Sequence, residues 1–281
     1  KIELYQLDAL NIDKLSDQKF DLIIINSVAQ YFPSLNYMFN VIKKLEQYSG
    51  RNTHIFLGDI RSYELQKLFY FDIIKKKFPK ISNTDLINKI SSLEKRENET
   101  LYHTQLFQLL PRKFNYIDSC NIELKEGNFI NELNLYRYDV LILCNQKKRN
   151  IPTINSINWD NIENPEIEIP KQISKIKSND ILEIDNIPNI RYTAFEEYRS
   201  LFIENRIALN KLKATSISFF LNLANKGKLN SQSCFVQEDV FKFIIQFSKN
   251  KMFKTQKPKI TNYSQLSNKW QEKKTVNDKA I

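Results

Sequence analysis

Glycine is scarce in this chain: 281 residues carry four, Gly50, Gly58, Gly127 and Gly227, and none belongs to a G-x-G turn. The phosphate-cradling loops of nucleotide-binding proteins are therefore excluded within these residues. Histidine is scarcer, with His54 on a strand-like segment and His103 in a helical one. The three cysteines, Cys120, Cys144 and Cys234, have no metal-ligand spacing, so neither a metal cluster nor a Ser/His/Asp constellation is legible. Free cysteines of this kind fit a reducing, cytoplasmic compartment. No stretch reaches the roughly 18 uninterrupted apolar residues of a membrane span, and no signal-peptide pattern opens the chain. Acidic residues are the minority charge, 32 against 42 basic, for a net +10. Such a balance suits nucleic acid or an acidic partner. Yet Lys75–Lys77, Lys147–Arg149 and Lys273–Lys274 are short scattered runs without interleaved aromatics, which reads as solvated surface and argues against nucleic acid.

What is present is an α/β pattern. Phe20, Leu22, Ile23, Ile24 and Ile25 form an apolar run broken only by Asp21, the signature of a parallel strand covered on both faces. It stops at Asn26-Ser27, the carboxyl strand end where open α/β sheets bind ligands. Apolar positions recur at helical spacing from Tyr37 to Tyr48, with Gly50 as a stop signal. A second strand, Thr53 to Leu57, ends in Gly58-Asp59-Ile60-Arg61, completing a βαβ unit with two loops over one crevice. Ile2 to Leu7 reads as a further strand tipped by Asp8-Ala9.

The spacing predicts an apolar helix from about Tyr63 to Phe78, another over Ser82–Glu94, and a third over Leu101–Leu110 stopped by Pro111. Together they make a helical insert over about 62–113, placed as a lid would be. Strands follow at Tyr116–Lys125 and Tyr138–Cys144. The composition then shifts, and helices are predicted over Ala194–Lys213, Ser216–Ala224 and Glu238–Lys249, so the carboxyl-terminal region reads as mainly helical. The expected organisation is a core over 1–146, an accessory region over 147–250 and a linker or tail over 251–281. No internal repeat is legible.

Three blocks carry a resemblance. Asn26-Ser27-Val28-Ala29-Gln30-Tyr31-Phe32-Pro33, then Gly58-Asp59-Ile60-Arg61-Ser62, then Asn131-Glu132-Leu133 with Arg137-Tyr138-Asp139-Val140, resemble in order and spacing the amino-acid N-methyltransferase domain embedded in nonribosomal peptide synthetases. Trp159-Asp160 and Pro188-Asn189-Ile190-Arg191 also match the family's pattern, and only the chain beyond them resembles it faintly. The resemblance implies a class I, Rossmann-like methyltransferase sheet, here partial, with S-adenosyl-L-methionine as cofactor. The implied substrate is the amino nitrogen of an aminoacyl thioester on an acidic, phosphopantetheine-bearing carrier protein, and the implied neighbour is an adenylation domain of the same polypeptide. Asp8 and Ala9 match the adenine-contacting pair, although an Asp that simply starts a turn remains the competing reading. Asn26, Ser27 and Val28 match the cofactor loop.

Methyl transfer to an amine is an in-line displacement that needs positioning more than acid–base work. Asn26, Gln30, Tyr31 and Glu132 are the candidate catalytic residues: an amide, a second amide and a phenol to orient the amine, and a carboxylate to take the ammonium proton. Tyr31 packing the loop, and Glu132 paired on the surface with Arg137, are the alternatives. Asp59 and Arg61 are candidate pocket residues, either as a buried pair that shapes the pocket or as contacts to the substrate. The family's glycine-rich turn and ribose-binding acid have no counterpart here. With a chain that opens on Lys1 directly in strand-like sequence, this suggests an excerpt of a longer polypeptide, which would bind the cofactor weakly alone. A free-standing small-molecule methyltransferase and a non-catalytic spacer between adenylation subdomains are the competing functions.

Overall fold

The computed structural model describes residues 2–15, 18–125, 127, 129–146, 153–178, 180–192, 195–202, 215–235, 242–249 and 266–268. Strand β1 (Phe20–Asn26) leads through a 3-10 turn into helix α1 (Leu35–Leu45), whose N-cap Ser34 accepts the Tyr37 amide at 3.2 Å. Helix α1 buries Leu35, Met38, Phe39, Val41, Ile42 and Leu45 along one face. A 3-10 turn tightens its end, so the chain is extended again by Ser49, and Gly50 lies inside β2 (Ser49–Arg61) instead of stopping the helix. Helices α2 (Gln66–Lys77), α3 (Asn83–Arg96) and α4 (Thr104–Lys113) form the insert, followed by β3 (Ile117–Leu124), the short α5 (Glu132–Tyr136) and β4 (Arg137–Cys144). Pro111 does not end α4. It sits in the last turn, where a missing N–H removes one bond without breaking the helix.

The first sheet has the order β1-β2-β4-β3, with β1 parallel to β2 and the other pairs antiparallel. Cross-strand partners share a face, so Ile23, Ile55, Ile142 and Cys120 make one row and Ile25, Leu57, Val140 and Ile122 the next. These rows are covered by the helices: Tyr116 bonds the Ile42 carbonyl, and Phe39 packs on Phe114. The opposite face carries Leu22, His54 and Leu143 in one row and Ile24, Phe56 and Leu141 in the next. There β1 is open, with Leu22 53% and Ile24 60% exposed. The prediction that β1 is covered on both faces is thus met on one face, because β1 is an edge strand among the described residues and no described element lies over its second face.

The carboxyl-terminal region is not mainly helical. Strands β5 (Thr153–Asn158), β6 (Asp180–Pro188), β7 (Asn230–Phe235) and β8 (Lys242–Ser248) form a second sheet, of order β5-β6-β8-β7, with α6 (Pro165–Ile173), α7 (Glu196–Phe202) and α8 (Ile217–Gly227) around it. The predicted Glu238–Lys249 helix is strand β8 where it is described, because Phe243, Ile245 and Phe247 alternate into the core, two of them against Phe220. Residues 194 and 203–213 of the predicted Ala194–Lys213 helix lie outside the described residues, and α7 and α8 occupy parts of the remaining predicted spans.

This sheet repeats the first in register, a repeat invisible in the sequence. Asn26 pairs Gly58 as Asn158 pairs Asp185. The next residue, Asp59 or Asn186, is a left-handed bulge residue (φ 65° and 62°), and the ladder with the following antiparallel strand slips there in both sheets. Three residues later, Ser62 and Asn189 each make a single parallel bridge, to Tyr102 and Thr215, just before α4 and α8. Even the base beyond the bulge recurs: Arg137 reaches Asp59, and Lys242 reaches Asn186 at 2.7 Å.

The termini depart from expectation. Ile2 to Leu7 makes no strand, since it has no neighbour to pair with among the described residues, and Ile2, Leu4 and Tyr5 are exposed. Within the expected tail, Leu266 is buried and Asn268 accepts the Leu101 amide at 2.8 Å and donates to the Glu99 carbonyl, so this part of the chain packs on the first unit.

Candidate active-site crevice

The crevice lies at the carboxyl ends of β1 and β2. Beyond Asn26 the backbone turns left-handed at Ser27 (φ 56°), a conformation that costs a serine about 1–2 kcal/mol. The cost is offset by bonds on all sides: the Ser27 amide reaches the Gly58 carbonyl at 3.1 Å, and its hydroxyl donates to Asp59 at 3.1 Å and accepts from Asn26 at 3.2 Å. Gly58 leaves room for the Asn26 side chain: a Cβ there would fall 2.0 Å from the Asn26 carboxamide oxygen and displace it. The following loop is pinned from the insert. Thr100 donates its amide to the Gln30 carbonyl and its hydroxyl to the Phe32 carbonyl, and Tyr102 donates to the Ala29 carbonyl.

Asn26, Ser27, Asp59 and Glu132 are thereby joined into one polar chain. Arg137 donates to Asp59 at 2.5 Å and reaches Glu132 at 3.5 Å, while Lys125 bridges Asp59 and Asp139 at 3.5 and 2.9 Å. Glu132 is the first residue of α5, which Asn131 caps by accepting the Leu133 and Asn134 amides. Its side chain is 56% exposed, in line with the surface-pair reading. Gln30 is buried at 4% exposure; its amide donates to the Ser27 carbonyl, and its Oε1 has no hydrogen-bond partner among the described residues.

Other candidates sit elsewhere. Asp59 and Arg61 are not paired. The bulge turns Asp59 toward Arg137, whereas Arg61 binds Glu97 at 3.0 Å and Glu99 at 2.6 Å and lies over the Phe69 ring. Glu97 is held below the usual carboxylate range: burial opposes this, and bonds from Tyr70, the Glu99 amide and Arg61 outweigh it. Burial, then Glu97, pushes the Tyr70 phenol up to about 12. Tyr31 is 68% exposed, and Val28 is also exposed. Asp8 spends its carboxylate on a local turn, accepting the Leu10 and Asn11 amides at 2.8 and 3.1 Å, and Ala9 lies in that turn. These bonds, the Leu10 amide foremost, lower the Asp8 pKa. Tyr37, another of its partners, packs at a tilt against Phe32, which brings the turn to the same end of the sheet as the crevice. His103 caps α4 beside Glu64.

Arg61, Glu132 and Arg137 line a tight cleft with Gln66, Phe69 and Tyr136, with room for about one water (10 Å³). Lys125, Asp139, Glu97 and Glu99 were missed as participants. The alternation of Arg137 and Asp139 on one face of β4 is the signal that could have found two of the charges. Among the described residues no group of three or more His, Cys, Asp or Glu is placed to hold a metal, and no helix is long and apolar enough to cross a membrane. Among the described residues the crevice therefore offers acceptors and more carboxylates than bases, Asp59, Glu97, Glu99, Glu132 and Asp139 against Arg61, Lys125 and Arg137.

No family model matches the chain. It is 30% identical over 200 residues to Nonribosomal peptide synthetase TES of Alternaria alternata, covering 68% of this chain and 4% of that protein. Its relatives are nonribosomal peptide synthetases. Chondramide synthase cmdD of Chondromyces crocatus is 33% identical over 159 residues (56% of this chain, 4% of that protein). Cyclosporin synthetase simA of Tolypocladium inflatum is 30% identical over 199 residues (69% and 1%). The chain thus spans a few per cent of the length of these multidomain relatives.

Proposed function

We propose that the chain is the carboxyl-terminal part of an S-adenosylmethionine-dependent N-methyltransferase domain within a nonribosomal peptide synthetase, acting on the amino nitrogen of a carrier-bound aminoacyl thioester. The observation that carries this reading is the open side of β1. Its sequence is apolar for two faces, yet Leu22 and Ile24 stand exposed beside an unpaired strand edge. The β5 edge of the second sheet, built alike, is the more polar of the two, with Thr153, Asn155 and Ser156 exposed beside one apolar residue, Ile154. The longer apolar run of β1 is written to be covered. The order β1-β2-β4-β3, with the last pairs antiparallel, supports the carboxyl half of a class I methyltransferase sheet, and the remaining strands would add at β1 and give Ile2–Leu7 its missing neighbour.

The cofactor fits in part. Buried Gln30 Oε1 at the β1 tip is an acceptor suited to a cationic group, and Asn26 and Ser27 are braced beside it, but no glycine cradle exists in these residues. Bound S-adenosylmethionine would supply an electrophilic methyl group. The chain's own residues orient the amine: Asn26 and Gln30 offer carbonyl acceptors, Glu132 is placed to take a proton, and Asp59, held by Arg137 and Lys125, fixes Ser27.

Two measurements test this. The full-length polypeptide carrying this chain should transfer labelled methyl to a carrier-bound aminoacyl group, and lose at least about tenfold in rate on Asn26→Ala; no transfer by the unaltered polypeptide refutes the activity. Calorimetric titration of the 281-residue chain alone should show little S-adenosylmethionine binding, and micromolar affinity would refute the half-site.

A further inference from the structure

The α2–α3 hairpin links the crevice to a distant surface groove. Leu65, Gln66 and Phe69, at the start of α2, border the crevice cleft. The far end of α2 leads into Phe78, Pro79, Lys80 and Ile81, which with Lys77 and Lys89 line a shallow groove of about 570 Å³. Phe78 is 42% exposed, and two ammonium groups lie over its ring, Lys77 at 5.6 Å and Lys89 at 5.2 Å. Three exposed lysines thus frame one apolar floor. The acid that lines the groove, Asp85, is engaged by the Ser82 hydroxyl at 2.7 Å. The negative end of the α2 dipole accounts for Lys77 but not for Lys80 or Lys89, which lie outside α2.

We propose that this groove is the landing site of an acidic protein surface that presents an apolar side chain to Phe78 and delivers the substrate of the crevice on a tether. The partner's chemistry follows from complementarity: carboxylates against Lys77, Lys80 and Lys89 around an apolar knob. The geometry sets the reach. Helix α2 has twelve residues at 1.5 Å rise, so the groove lies roughly 18 Å from the crevice, and the tether must span about that length. The tethered-substrate element rests on the reading given under Proposed function; the docking surface does not.

The test uses the full-length polypeptide carrying this chain, with its own carrier serines replaced by alanine, and a separately produced peptidyl carrier domain in its phosphopantetheinyl form as probe. Binding should weaken with added salt and fall about tenfold or more in Lys77→Glu/Lys80→Glu/Lys89→Glu, and Phe78→Ser should weaken it with little change in salt dependence. Reversing carboxylates on the carrier to lysine should restore binding to the triple variant. Equal binding by the triple variant and the unaltered protein overturns the proposal. With an untethered aminoacyl thioester of a small thiol as substrate, methylation by the triple variant should match the unaltered protein, whereas KM for the carrier-linked substrate should rise about tenfold. An equal loss on both substrates also overturns it. Carrier binding at the groove without methyl transfer to either substrate leaves the landing site standing and refutes the methyltransferase reading.

Discussion

Replacing Asp59 separates two contributions that meet in one residue. Its side chain is 12% exposed, and its carboxylate faces Arg137 at 2.5 Å, Lys125 at 3.5 Å and the Ser27 hydroxyl at 3.1 Å, while its backbone sits at φ 65°. Asp59→Asn keeps the shape and a side chain that tolerates the left-handed region but removes the charge. Because the two bases keep some contact with water and Lys125 retains Asp139, the loss should be about 2 kcal/mol, between an exposed and a fully buried pair. Asp59→Ala also leaves Ser27 without its acceptor and puts a residue with no local polar bond at positive φ, adding about 1–2 kcal/mol. Asp59→Gly loses the same contacts but not the backbone comfort, and should recover about 0.5–1 kcal/mol relative to alanine. The assay is native-state hydrogen exchange of the paired β2 and β4 amides around Ile60 and Tyr138, which reads the opening free energy of this ladder. The expected order of stability is Asp, Asn, Gly, Ala. Alanine matching asparagine, or glycine falling below alanine, would refute the reasoning.

Lysine at Leu22 and Ile24 together should suppress self-association of the isolated chain, read by light scattering, at little cost to its folding; a large loss of folding would mean that β1 is already covered. Because Glu97 is held below its ordinary pKa, its contribution is present at neutral pH and lost as pH falls through the depressed value. Glu97→Gln should therefore be less stable than the unaltered chain at pH 7, with the gap closing in acid; a gap that persists in strong acid would contradict the network with Arg61 and Tyr70. Arg191 donates to the Lys125 and Asn134 carbonyls at 2.7 and 2.9 Å, so Arg191→Met should cost about 3 kcal/mol and speed hydrogen exchange in α5, and unchanged α5 protection would count against that support.

The elements legible in the sequence were those whose pattern has one physical meaning. The run from Phe20 to Ile25 forms the strand its pattern predicts, and the helix predicted over Ser82–Glu94 is α3, although its cap is Ser82 itself and neither Asn83 nor Thr84, the caps the sequence offered. The failures came where a pattern has two meanings. Phe243 to Phe247 satisfies both helical and strand spacing, and only pairing with β6 and β7 decides it. Ile2 to Leu7 has strand composition, but a strand also needs a neighbour. In the crevice, Asn26, Ser27 and Asp59 were singled out because polar residues at strand ends stand out, and Glu132 through the resemblance of its block. Lys125, Glu97 and Glu99 were not, since loop and insert residues reach the site through the fold rather than through spacing.

The matched bulges and registers of the two sheets have a cost during folding. Strands β4 and β8 offer similar ladders, and β2 and β6 break theirs at equivalent points, so a newly made chain contains two partners competing for each hairpin. Exchange between them would give a compact but misassembled molecule. Pro188 stands where Arg61 stands in the first copy and cannot donate to a ladder, and the bulge residue that meets Arg137 is a carboxylate, Asp59, where β6 has the amide of Asn186, so the differences between the halves act as proofreading against the swapped arrangement.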